Sequence, residues 1–225
     1  MWKAVSTFIL LALIGLTQYV PSLQGNSFNE YAPEYAEKVK DAITPAHPTV
    51  RTFALRLART FPGNYNIGQV CAIWYRLKKD WSYVNDPRGI EYFAPANESI
   101  NAKLSGDCDD FAILMASLIE AIGGSSRIIL AFGPQGGHAY CEVCVGQNPQ
   151  QVQTIINNIA KIHPNYRILD SLKTFLSGKG YSFSYHRGPD GYWLNLDWTA
   201  EHPGGPFFPA TWGIVVYPDG RWGKM

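Results

Sequence analysis

The chain has 225 residues, 46% hydrophobic and 14% aromatic, a composition that supports an ordered globular fold with a sizeable core and makes one domain the default. Nineteen Lys and Arg against eighteen Asp and Glu leave a net charge of +1, which excludes the basic footprint of a nucleic-acid binder or of a protein held on an anionic surface. Cys71, Cys108, Cys141 and Cys144 do not have the spacing of a disulfide framework, and a chain this long does not need one, so at most one bridge is expected.

After Met1-Trp2-Lys3 the run from Ala4 to Leu16 is apolar or small, and Thr17 and Gln18 end it. A positive start, an apolar segment and then "VPSLQG" fit a secretory signal peptide cleaved after Ser22, although no A-x-A site is present. A short membrane anchor through residues 4–20 is the competing reading, because a spanning helix needs roughly 17–25 apolar residues. Either reading places the protein outside the cytoplasm, secreted or membrane-anchored. Residues 1–25 are therefore set apart from one domain over 26–225. That domain has a helical part over about 26–104, a core over about 105–200 and a C-terminal aromatic loop and hairpin over 201–225.

From Asn26 to about Tyr83 the pattern is helical. "TVRTFALRLARTF" sets Phe53, Leu55, Leu57 and Phe61 near helical spacing before "PGN". "IGQVCAIWYRLKKDW" sets Ile67, Val70, Cys71, Trp74, Leu77 and Trp81 on one stripe, which makes Cys71 a small core residue. "NDPRG" stops that helix and "EYFAPANESI" reads as a loop. It leads to "SGDCDDFAILMASLIEAIGG", residues 105–124, where Asp107 is a good N-cap and Asp110 lies where a carboxylate reaches back to the free amides. Phe111, Leu114, Met115, Leu118, Ile119 and Ile122 follow with helical spacing, and Gly123-Gly124 stops the helix.

Beyond this helix the period changes to two. "SRIILAFG" and "HAYCEVCVG" are strands joined by the Gly-rich "GPQGG". Alternation places His138, Tyr140, Glu142 and Cys144 on one face of the second strand, and Ala139, Cys141, Val143 and Val145 on the other, core face. A helix over "QVQTIINNIAKI" follows. "YSFSYHRGPDGYWLNLDW" then reads as two strands about Pro189, Asp190 and Gly191. Tyr192, Leu194, Leu196 and Trp198 form its apolar face and leave Trp193, Asn195 and Asp197 on the other. "AEHPGGPFFPATWGIVVYPDGRWGKM" suggests a packed loop and a last hairpin around "YPDGRW". Helices first and an antiparallel sheet after them make the fold class α+β.

The thiol of Cys108 stands in the first turn of a buried helix, where free N–H groups and the helix dipole favour a negative charge, while three flanking aspartates oppose it. A working thiolate therefore needs a cation nearby, and a protonated histidine is the natural one. His47, His163 and His202 all precede proline in turn-like sequence and read as surface residues; His186 ends a strand beside a turn. His138 opens a strand from which it can look across the sheet edge at a helix terminus. Asp197, a lone carboxylate late in an aromatic strand, is the candidate for orienting the imidazole.

In these three segments the chain resembles the transglutaminase-like superfamily, relatives of the papain-type cysteine peptidases, in its prokaryotic form. "GDCDDFAILMASLIEAIGG" is similar to the nucleophile segment, "GGHAYCEV" to the histidine strand and "YWLNLDWT" to the aspartate strand, and the likeness covers roughly residues 65–200. The resemblance implies a papain/transglutaminase-like core with Cys108 as nucleophile, His138 as base and Asp197 as orienting carboxylate. It implies hydrolysis of peptide or amide bonds in a protein or peptide substrate, or transfer of the acyl group to an amine as in a transglutaminase. For the oxyanion it implies the backbone N–H of Cys108, with Trp81 or Tyr83 as side-chain candidates. No cofactor, no metal and no nucleic-acid partner are expected.

Two other classes remain. His138-x2-Cys141-x2-Cys144 has zinc-like spacing, but residues three apart on a strand point to opposite faces, so these ligands converge only if the strand is broken or bulged. A non-catalytic binding domain that retains the fold is the other.

Overall fold

The computed structural model describes residues 28–87, 89–162 and 183–225. The predicted signal or anchor over 1–25 and His163 lie outside them. Among the described residues no helix is long and apolar enough to cross a membrane.

Three helices come first, α1 (Phe28–Ala42), α2 (Pro48–Ala58) and α3 (Ile67–Asp80). Helix α2 starts at Pro48 because proline suits a first helical position, and the exposed His47 before it caps the end by accepting the Thr49 N–H at 3.3 Å. Its core face is Val50, Phe53, Ala54 and Ala58, whereas Leu55, expected on that face, is 41% exposed. The stripe expected on α3 is buried from Ile67 to Leu77, and Cys71 is wholly enclosed, with burial pushing its thiol up to about 12. The segment expected to be a loop contains a short helix, α4 (Ala96–Asn101).

Between these elements a two-residue strand, β1 (Ser82–Tyr83), pairs in parallel with β2 (Ser105–Gly106). The pair brings Tyr83 alongside the start of α5 (Cys108–Ala121), the most deeply buried helix. Gly106 is required at this junction: its φ of 154° is open to glycine, and a Cβ there would lie 2.2 Å from Asp110 Oδ2. At the other end Gly123, with φ 89°, closes the helix as the sequence predicts.

Helix α5 packs on a six-stranded antiparallel sheet of order β5-β6-β4-β3-β7-β8. Its strands are β3 (Ser126–Gly133), β4 (Gly136–Gly146), β5 (Tyr185–Gly188), β6 (Gly191–Asn195), β7 (Trp212–Val216) and β8 (Trp222–Lys224), with α6 (Pro149–Ile162) after β4. The fold is thus α+β, as expected. The alternation on β4 holds: Ala139, Cys141, Val143 and Val145 join the main core with Leu194 and Leu196. The other face is covered too. There Ile129, Ala131 and Tyr140 form a second cluster, over which Phe207 and Phe208 of the C-terminal loop pack.

Candidate active site

The thiol, the imidazole and the carboxylate come from three different elements. Cys108 is the first residue of α5, behind the N-cap Asp107. Asp110 accepts the Asp107 N–H at 3.3 Å, the reach-back the sequence suggests, and with its other oxygen accepts the Ala94 N–H at 2.9 Å. This ties the loop before α4 to the head of α5.

Strands β4 and β6 pair from Gly146 to Glu142, and the Leu196 N–H donates to the Cys141 carbonyl at 2.9 Å. Residues two apart point their backbone groups to the same edge of a strand, so the Ala139 N–H emerges beyond the last bond to β6. That N–H lies near enough to the Cys108 sulfur to favour its charged form. Cys108 therefore lies against the backbone immediately after His138, at the place where β6 leaves β4.

His138 and Asp197 meet there. His138 Nε2 lies 2.8 Å from Asp197 Oδ2, with the two side chains 9% and 1% exposed. The second carboxylate oxygen of Asp197 accepts the Thr199 N–H at 2.8 Å. Helix α3 holds the chain on both sides of it: Trp74 Nε1–H donates to the Leu196 carbonyl at 3.2 Å, and the Lys78 ammonium donates to the Trp198 carbonyl. Burial pushes Lys78 below the ordinary lysine value, and the charges of Asp197 and Glu201 partly restore it.

The two aromatic oxyanion candidates differ. Tyr83 stacks on Trp198 with ring centroids 5.0 Å apart, and its hydroxyl is pushed up by burial and then by the Cys108 charge. Trp81 packs edge-on against Phe111, one turn after Cys108, at 5.2 Å, and its Nε1–H is buried without a hydrogen-bond partner.

The electrostatics differ from the expected lowered thiol. Burial, followed by the charges of Asp109 and Asp107, pushes the Cys108 thiol well up, and the Ala139 N–H offsets this in part. The dipole of one helix end does not overcome desolvation beside two carboxylates. Both effects favour the neutral thiol over the thiolate. The same environment pushes Asp109, 3% exposed, up to about 11, through burial first and the neighbouring Asp107 carboxyl second, and Asp110 up to about 6.

The Asp109 shift gives a stability prediction with a definite sign. A carboxyl whose folded pKa lies above its ordinary 3.8 stabilises the fold in acid, and that contribution is lost as pH rises towards the folded value. Asp109→Asn is therefore expected to stabilise the protein at pH 8 by about 1–3 kcal/mol, the cost of a poorly satisfied buried group, and to match wild type near pH 4. Urea unfolding at both pH values tests it, and a difference independent of pH would refute it.

Among the described residues the metal-type side chains whose ligand atoms converge are Asp107, Asp109 and Asp110, within 4.8 Å of one another. The zinc-like trio does not converge: β4 is continuous through His138, Cys141 and Cys144, and Cys141 points into the core. All four cysteines are unbridged. Of the remaining histidines, His202, expected at the surface, is 6% exposed and in edge contact with Phe183. His186 bonds the wholly buried Glu142 at 2.5 Å. Sequence reading had no signal for the second pair, because Glu142 faces away from the main core under a segment more than sixty residues later in the chain.

Residues 52–152 match the sequence profile described as the Transglutaminase-like superfamily. Among solved structures, a candidate cysteine protease from Cytophaga hutchinsonii is similar at 19% identity and a TM-score of 0.36, over 55% of this chain and 40% of that one. A candidate protease from Parabacteroides distasonis is similar at 14% identity and a TM-score of 0.39, over 50% and 24%. Calcium-bound LapG of Legionella pneumophila is similar at 15% identity and a TM-score of 0.36, over 72% and 82%. The chain spans less than half the length of the first two. No curated protein matches it.

Proposed function

Since residues 52–152 belong to the transglutaminase-like superfamily, we propose that the protein is a thiol-dependent acyl-transfer enzyme that hydrolyses peptide or amide bonds through Cys108, His138 and Asp197. The observation that carries this is the buried His138–Asp197 bond of 2.8 Å beside the Cys108 sulfur. With Nε2 committed to Asp197, Nδ1 of His138 is the nitrogen left to take the Cys108 proton. The sulfur attacks the substrate carbonyl as that proton moves, forming a C–S bond and an oxyanion. As the oxyanion collapses, the C–N bond breaks and the imidazolium passes the proton to the departing amine. Water, deprotonated by His138, then cleaves the thioester, releasing the acid and restoring the thiol. Asp197 stabilises the imidazolium and holds its tautomer.

The thiol's high pKa suits this order of events. Attack coupled to proton transfer needs no standing thiolate beside Asp107 and Asp109. For the oxyanion, the Cys108 backbone N–H at the helix end is one donor. Trp81 is favoured over Tyr83 as the second, because a buried indole N–H without a partner gains most from an incoming anion.

The test is digestion of a peptide library in H₂18O, read by mass spectrometry. New carboxyl termini carrying 18O, produced by wild type and lost in Cys108→Ala, support hydrolysis. Products joined to an added amine would place the enzyme with amine transfer instead, and no Cys108-dependent product of either kind would sink the reading.

A further inference from the structure

Two residues before Asp197, the side chain of Asn195 is 0% exposed and fully bonded. Its carbonyl oxygen accepts the Asp197 N–H at 3.0 Å. Its amide nitrogen donates to the carbonyls of Gly205 at 3.0 Å and Pro206 at 2.9 Å. The Asn195 backbone carbonyl accepts the Gly204 N–H at 2.7 Å, so the segment 204–206 is held to this one residue by three bonds. A planar amide with one acceptor and two donors fits this set of partners, whereas a carboxylate lacks the donors and an aliphatic side chain lacks all three.

The residues that follow lie over the histidines. Phe207 stacks on His186 with centroids 4.0 Å apart and planes 12° apart, and Phe208 packs against His138 at 4.9 Å and 39°. Because sequence neighbours of the strap carry the aromatic cover, whatever fixes residues 204–206 also fixes where Phe208 meets the imidazole.

We propose that Asn195 is a positioning residue for the site: one buried amide sets Asp197 on one side of His138 and, through the 203–208 strap, seats Phe208 on the other. This rests on the acyl-transfer reading above. The strap keeps water from the His138–Asp197 bond, and a hydrogen bond shielded in this way is stronger and more directional than one shared with solvent. Asn195 touches neither the sulfur nor the imidazole, and acts through the two groups it holds.

The experiment is the pH dependence of iodoacetamide alkylation, resolved by peptide mapping, in wild type, Asn195→Leu, Asp197→Asn and His138→Ala. Cys71 and Cys141, both 0% exposed, report global opening in the same digest. Asn195→Leu is expected to slow alkylation of Cys108 at pH 7 by about tenfold, part of what a positioned base supplies, and to shift the profile in the direction of Asp197→Asn, with Cys71 and Cys141 still protected. A residue that merely stabilised a loop would leave that profile unmoved. Should Asn195→Leu fail to fold, Phe208→Leu removes the cover without touching the buried amide, and its profile is expected to move the same way. A wild-type profile in the folded Asn195 variant, or in Phe208→Leu where that variant stands in, overturns the proposal. If Asp197→Asn and His138→Ala change the profile while Asn195→Leu does not, only the role of Asn195 falls. If none of them changes it, the triad reading falls and this inference with it.

Discussion

His138→Ala is expected to slow alkylation of Cys108 at pH 7 by about 100-fold, at the low end of what a positioned general base contributes. The expectation follows from the cost of ionising this thiol alone. Cys108 is half-buried and lies beside the Asp107 carboxylate, and both the burial and the charge favour the neutral form. On the proposed triad His138 accepts the proton, and Asp197, 2.8 Å from Nε2, stabilises the imidazolium. Without the imidazole, the sulfur must lose its proton to solvent against the full desolvation cost, so the profile moves to higher pH. The half-exposed Cys144 is an internal standard whose alkylation should match between the two proteins. Equal rates at Cys108 in both proteins would show that His138 does not serve the sulfur.

The second large effect lies on the other face of the sheet and concerns stability. Arg127 bonds Glu142 at 2.7 Å, with side chains 6% and 0% exposed, and its guanidinium lies 4.5 Å from the Trp193 ring centroid. Removing one partner strands a charge that water cannot reach, whereas removing both replaces an ion pair with packing. Arg127→Met is therefore expected to cost about 3–5 kcal/mol in urea unfolding, and Arg127→Met/Glu142→Met to recover most of that loss. A single variant within about 1 kcal/mol of wild type would mean that His186, at 2.5 Å from Glu142, is partner enough, since an ordinary surface pair is worth no more than that.

Much of this was readable from residue types and spacing. The helix at Cys108, the hairpin that carries His138 and the strand that carries Asp197 each announce themselves through periodicity, capping or turn residues, and those signals are local. What escaped was set by later segments. Alternation on β4 tells which face meets the main core, but not that Phe207 and Phe208 cover the other one, so Glu142, Arg127 and His202 were not recognisable as buried. The two-residue strands β1 and β2 are too short to show a period, and their pairing is what brings Tyr83 alongside the head of α5. Leu55 was misassigned because two arginines and two threonines leave several helical registers open, and the neighbouring α3 and α5 select the one through Val50, Phe53 and Ala54. The sign of the thiol shift depended on the depth of burial, which residue order alone does not supply.

The departure of β6 from β4 has a kinetic consequence. Cys108 and His138 are thirty residues apart, but the carboxylate arrives fifty-nine residues after the histidine and the strap later still. Closing loops of that length is entropically slow, and non-local strand pairing tends to follow local helix formation. The contacts within the thiol helix and the histidine hairpin therefore need less loop closure than those that bring in Asp197. The meeting of His138 with Asp197 is completed only when the strands after α6 dock on β4.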